Sequence, residues 1–141
     1  MIKGKKGLKI EIANDHSIAW GIAKQLHANG AELAITYQNS TLLKRVKPLA
    51  NKVNSDMLIE CDVNNEDHLQ NTVLKIKNYF GKIDFIIHAV AYSDKNELNG
   101  RYVDTSKDNF INSLSISCYS FTRIAKLFQP IMNDGGSLVT L

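Results

Sequence analysis

The sequence predicts an α/β domain built on a doubly wound parallel sheet, and three observations predict it. Short apolar segments at 7–13, 31–37, 56–61, 83–91 and 136–141 read as strands, and longer segments with helical spacing lie between them. The fourth of these, KIDFIIHAVA, is almost continuously apolar, as a strand buried on both faces must be. No repeat, low-complexity tract or linker divides the 141 residues. Strand–helix alternation implies right-handed crossovers between parallel strands, in the Rossmann-like order 3-2-1-4-5. A ligand is then expected at the carboxyl ends of strands one and four, where the strand order reverses.

The elements follow in order. The first strand carries Lys9 and Glu11 on one face, which is unusual for the centre of a sheet, because burying even a paired Lys–Glu costs desolvation. Ser17 can cap a helix that starts at Ile18, and Gly30 can end it. In 66–80, Leu69, Val73, Ile76 and Phe80 mark one helical face. In 107–132, Phe110, Leu114, Cys118, Phe121, Ala125 and Phe128 are expected to do the same. Pro130 and the NDGG turn close that helix ahead of the fifth strand. The chain stops at Leu141 with no helix to cover that strand, so residues 1–141 read as one incomplete dinucleotide-binding domain, truncated after the fifth strand.

Composition narrows the function. An apolar content of 44% with 22% charged residues suits a globular domain. A net charge of +3, with the basic residues scattered, does not suit a nucleic-acid partner. Cys61 and Cys118 match no metal or redox spacing, so no metal site is expected. The start MIKGKKGLKIE is too charged for a signal peptide. The longest apolar run, FIIHAVAY, falls far short of the ~20 residues a membrane helix needs. A cytoplasmic protein is expected.

The turn after the first strand holds no G-x-G, so the generic dinucleotide fingerprint is missing. Ser17 at the positive end of a helix is a natural anion site, and Gly21 would let that helix lie close to the sheet. A plain N-cap and a packing glycine account for both residues equally well. The segments GIAKQLHANGAELAITYQN, CDV, IDFIIHAVAYSDKNELNGRYVDTSKDNF, SISCYSF and GGSLVTL carry more. Together they closely resemble the bacterial enoyl-acyl-carrier-protein reductases that use NADH, a divergent branch of the short-chain dehydrogenase/reductases. The likeness runs along essentially the whole chain and covers about the first half of a family member.

The resemblance implies a site. Its pattern G-x-x-x-x-x-S-I-A-x-G places Ser17, Ile18 and Gly21 at the cofactor, with Glu11 where the first glycine belongs. Gln38 falls where other dinucleotide binders carry an acid for the adenosine ribose, and the TYQN version implies NADH as cofactor. Asp62 and Val63 would take the adenine, through a hydrogen bond and the ring face respectively, although a strand end followed by a helix cap explains ECDV as well. Val90 and Ala91 would lie against the cofactor, with Tyr92 and Ser93 leading toward the acyl pocket. The implied substrate is an enoyl-thioester on acyl carrier protein, and full-length relatives are homo-oligomeric.

The family's catalytic Tyr-x6-Lys stands on the helix after the fifth strand, so no catalytic residue is expected in this chain. Tyr119 and Lys126 have that spacing, but they lie in a segment resembling the helix before the fifth strand. His88 reads as a satisfied core histidine. Like charges about 4 Å apart repel by roughly 4 kcal/mol at an effective dielectric of 20, so Glu11 is expected to weaken dinucleotide binding. Two readings follow: an NADH-dependent enoyl reductase by family whose chain is inactive alone, or a non-catalytic relative that binds adenine nucleotides weakly at most.

Overall fold

The computed structural model describes residues 2–141. Its elements are β1 (Lys6–Ile10), α1 (Ile18–Ala28), β2 (Glu32–Tyr37), α2 (Ser40–Lys52), β3 (Met57–Glu60), α3 (Glu66–Phe80), β4 (Ile83–His88), α4 (Lys107–Leu114), α5 (Ser120–Phe128) and β5 (Met132–Thr140). The strands form one five-stranded sheet in the order β3-β2-β1-β4-β5, with every pairing parallel. The expected doubly wound order is therefore present.

Two apolar layers sandwich the sheet. On one face Leu8, Ile10, Ile59 and Ile86 pack with Leu69 and Ile76 of α3 and with Ile124 and Phe128 of α5. On the other, Ile35, Phe85 and Ile87 pack with Ala19, Trp20 and Ala23 of α1 and with Val46 and Leu49 of α2. The face expected on 66–80 is the one found: Leu69 and Ile76 are buried, with Val73 and Phe80 packed against them. Gly30, at a φ of 83°, adopts the left-handed turn that lets the chain leave α1 for β2.

Three local expectations need correction. The helix over 107–132 is not continuous, because a π-helical turn at Ser115–Tyr119 separates α4 from α5. That turn rotates the apolar phase. The buried positions of α4 and α5 are Asn109, Ser120, Ile124 and Phe128, whereas Phe110, Leu114 and Cys118 of the expected stripe are exposed. The NDGG segment does not precede the fifth strand but lies inside it. Beside it the register slips: β4 advances from Ile83 to Phe85 while β5 advances from Met132 to Ser137. Finally, Lys9 and Glu11 do not share a strand face. β1 ends at Ile10, and Glu11 turns into the left-handed region at a φ of 58°.

Candidate functional site

The candidate residues gather along the carboxyl edge of the sheet, because each parallel strand delivers its last residue and the following loop to that edge. Ser17 caps α1 as expected. Its hydroxyl accepts from the N–H of Trp20 at 3.1 Å and donates to the carbonyl of Asn14 at 2.8 Å. Among the described residues, no acceptor in the chain takes the N–H of Ile18 or Ala19. The helix start therefore offers two free amides beside its positive dipole end, which suits a phosphate oxygen. Ile18 itself projects outward and is 72% exposed.

Glu11 stands at the opposite side of this turn. Its left-handed backbone costs a residue with a Cβ about 1–2 kcal/mol relative to glycine. Two bonds hold the conformation: its N–H donates to Thr36 Oγ1 at 2.9 Å, and its carbonyl accepts from Lys9 Nζ at 3.3 Å. Burial pushes the Glu11 carboxyl above its ordinary range, Lys9 pulls it back, and the neighbouring Asp62 adds to the rise. A free carboxylate at this turn opposes a diphosphate, whereas the amides of α1 favour one. The capped start of α1 fits a dinucleotide's diphosphate, and the Glu11 carboxylate and its left-handed backbone do not.

The remaining positions are more varied. Gln38 is half-buried just past β2 and accepts from Asn39 Nδ2 at 3.4 Å, while Asn39 caps α2. Asp62 follows β3, where its Oδ1 accepts from the N–H of Asn64 at 2.9 Å and its own N–H donates to His68 Nδ1 at 3.2 Å. Val63 and Val90 are buried in the core on the α3 side, and Ala91 is exposed. The Tyr92 ring is 42% exposed, and its N–H donates to Ser117 Oγ at 3.0 Å. Ser93 accepts from the buried Asn109 at 3.2 Å and borders a cavity of about 360 Å³ walled by Leu98, Tyr102, Phe110 and Leu114. Tyr92 is not part of that wall.

His88 is a satisfied core residue. Ser120 Oγ donates to the carbonyl of Ile116 at 2.6 Å, so the ring Nε2–H donates to Ser120 at 2.8 Å. Nδ1 is left to accept from Thr140 at 2.9 Å. Burial holds this imidazole near 4, chiefly by desolvation and secondarily through Lys9, so it is neutral at physiological pH. Tyr119 and Lys126 both point to solvent, on the π turn and on α5, ahead of β5.

Sequence reasoning missed Thr36, Asn109 and Ser117 as anchors of these loops. Thr36 and Ser117 carry no distinguishing pattern. Asn109 had one available signal, a polar residue three positions after the Ser106 cap, on the side of α4 where the apolar stripe was misplaced.

The chain and its fold have well-defined relatives. A family model described as enoyl-(acyl carrier protein) reductase matches residues 12–141. An enoyl-[acyl-carrier-protein] reductase [NADH] of Rhizobium meliloti is 55% identical over 141 residues, covering 100% of this chain and 53% of that protein. The corresponding protein of Rickettsia bellii is 49% identical, with 100% and 54% covered. Among solved structures, the Anaplasma phagocytophilum reductase in complex with NAD superposes with a TM-score of 0.94 at 51% identity, covering 99% of this chain and 54% of that one. A Bacillus cereus reductase with NADP+ superposes at 0.93 and 35% identity, covering 99% and 55%. The chain thus spans about half the length of the relatives it matches. By the family match, the identity along the whole chain and the shared fold, it belongs to the enoyl-(acyl-carrier-protein) reductase family.

Proposed function

We infer that this chain supplies the dinucleotide-binding part of an NADH-dependent reductase of fatty-acid biosynthesis, acting in the cytoplasm on trans-2-enoyl thioesters of acyl carrier protein. The single observation that carries this reading is the Ser17-capped start of α1, with two free amides where β1 and β4 diverge. Ser17 and Ile18 meet the diphosphate, and Gln38 meets the adenosine ribose. Asp62 and Val63 frame the adenine, while Val90 lies behind the cofactor. NADH supplies the hydride that reaches C3 of the enoyl thioester. Tyr92 and Ser93 direct the acyl chain. The unpaired Cys61 and Cys118 suit a reducing compartment.

A second, non-catalytic reading is favoured by two observations. Glu11 brings a carboxylate to the turn, and Tyr119 and Lys126 face solvent ahead of β5. On this reading residues 1–141 bind adenine nucleotide weakly and do no chemistry alone. A titration of NADH against the chain separates the two readings, tight binding supporting the first and weak binding or none the second. An assay of NADH oxidation with crotonyl thioester tests the activity of these residues directly. No turnover above background is expected from these residues by themselves. Turnover would place the proton donor within them and make Tyr119→Phe the next variant. Phe110, Ile111 and Leu114 project from α4, so self-association is expected, and sedimentation as a monomer at high concentration would contradict it.

A further inference from the structure

Lys9 is fully enclosed in the middle strand of the sheet, between Ile35 of β2 and Ile87 of β4. An aliphatic side chain would sit there without cost, whereas an ammonium loses its hydration. Among the described residues, no carboxylate makes an ion-pair contact with it. Its Nζ instead donates to the carbonyls of Ile10, at 2.9 Å, and Glu11, at 3.3 Å. These two carbonyls flank the point where the chain turns left-handed.

The Glu11 residue is consequently gripped from both sides, its N–H by Thr36 Oγ1 and its carbonyl by Lys9 Nζ. A glycine reaches this conformation without help, whereas a residue with a Cβ must be held there. The ammonium also lies close enough to lower the carboxyl that burial raises. One side chain therefore answers both difficulties that Glu11 creates, its backbone strain and its charge.

We propose that Lys9 is a positioning residue for the nucleotide turn, clamping Glu11 in the left-handed conformation and offsetting its carboxylate so that the turn accepts a diphosphate without a glycine. The clamp belongs to the chain itself, while its consequence for NADH rests on the dinucleotide reading above.

A double-mutant cycle over Lys9→Met and Glu11→Gly tests the proposal, with melting temperature in the absence of nucleotide and NADH affinity by calorimetry as the two readouts. Lys9→Met is expected to lower NADH affinity about tenfold or more when Glu11 is present, and less than about threefold in the Glu11→Gly protein. The melting temperature should show the same dependence on background. If Lys9→Met alone does not fold but the double variant does, the clamp is supported in its strongest form. Equal effects of Lys9→Met in both backgrounds overturn it, as does a double variant that also fails to fold. If none of the four proteins binds NADH while the melting temperatures remain non-additive, the dinucleotide reading falls and the clamp stands.

Discussion

The two ends of β1 handle charge in opposite ways. At its entry Asp84 accepts from the Lys6 N–H at 2.9 Å, from Lys5 Nζ at 3.0 Å and from Asn133 Nδ2 at 3.0 Å. The Lys6 hydrogen bond leads in holding that carboxyl below its ordinary range, against the effect of desolvation, and the Lys5 and Asn133 bonds support it. At its exit Lys9 is enclosed without a carboxylate contact, and Glu11 sits in a backbone conformation that favours glycine. The entry is a set of satisfied contacts. The exit is strain held in place by neighbours, and it lies on the edge where parallel sheets bind ligands. Position along one strand thus separates charge that stabilises the fold from charge that shapes a site.

Four measurements break or sharpen this contrast, from the largest effect to the smallest. Near the entry, a Cβ on Gly7 would come within 2.1 Å of Phe85 Cε2, so Gly7→Ala should cost about 3 kcal/mol by denaturant unfolding. A cost below about 1 kcal/mol would show that the Phe85 ring swings aside. At the exit, burial lowers Lys9 from 10.5 to about 7, with the Glu11 carboxylate working to raise it. Between these values the unfolded chain binds more protons than the folded one, so stability relative to Lys9→Met rises with pH above about 7. The slope approaches about 1.4 kcal/mol per pH unit at most and vanishes above the unfolded value. The titratable groups that act on Lys9 are Glu11 and, on β4, His88, which lies near 4 and does not titrate in this window. A flat difference between the two proteins would mean that the ammonium is solvated.

The third measurement returns to the entry. Asp84→Asn keeps part of the hydrogen bonding and loses the charge, and should cost about 1–2 kcal/mol. Fourth, Tyr119→Phe should change stability by less than about 0.5 kcal/mol and leave NADH affinity untouched, because the ring is exposed to solvent. A loss of binding there would bring the π turn into the site.

How much of this was legible in the sequence depends on how local the cause is. The sheet order and α3 could be read because β4 is continuously apolar and Leu69, Val73, Ile76 and Phe80 hold a single phase from cap to cap. The Ser17 cap and the Gly30 exit follow from residue type alone. The phase of 107–132 could not be read, since the π turn at Ser115–Tyr119 has no sequence period of its own. The interruption of β5 was hidden because NDGG looks the same before a strand as inside one. At the site, Glu11 stood out as an acid where the family has glycine. The clamp on it depends on Thr36 and on the folding back of Lys9, which only the three-dimensional arrangement brings together. Val63 and Val90 are assigned to the cofactor by the resemblance alone: being apolar, they match a core and a cofactor wall equally well.

The most direct test is a calorimetric titration of NADH into the 141-residue chain and into its Glu11→Gly variant under the same conditions. The turn after β1 is expected to bind weakly as it stands and about tenfold or more tightly once the carboxylate and the left-handed strain are removed together. Identical affinities would show that Glu11 does not weaken the turn, and no binding in either protein would contradict the assignment of this turn to a dinucleotide.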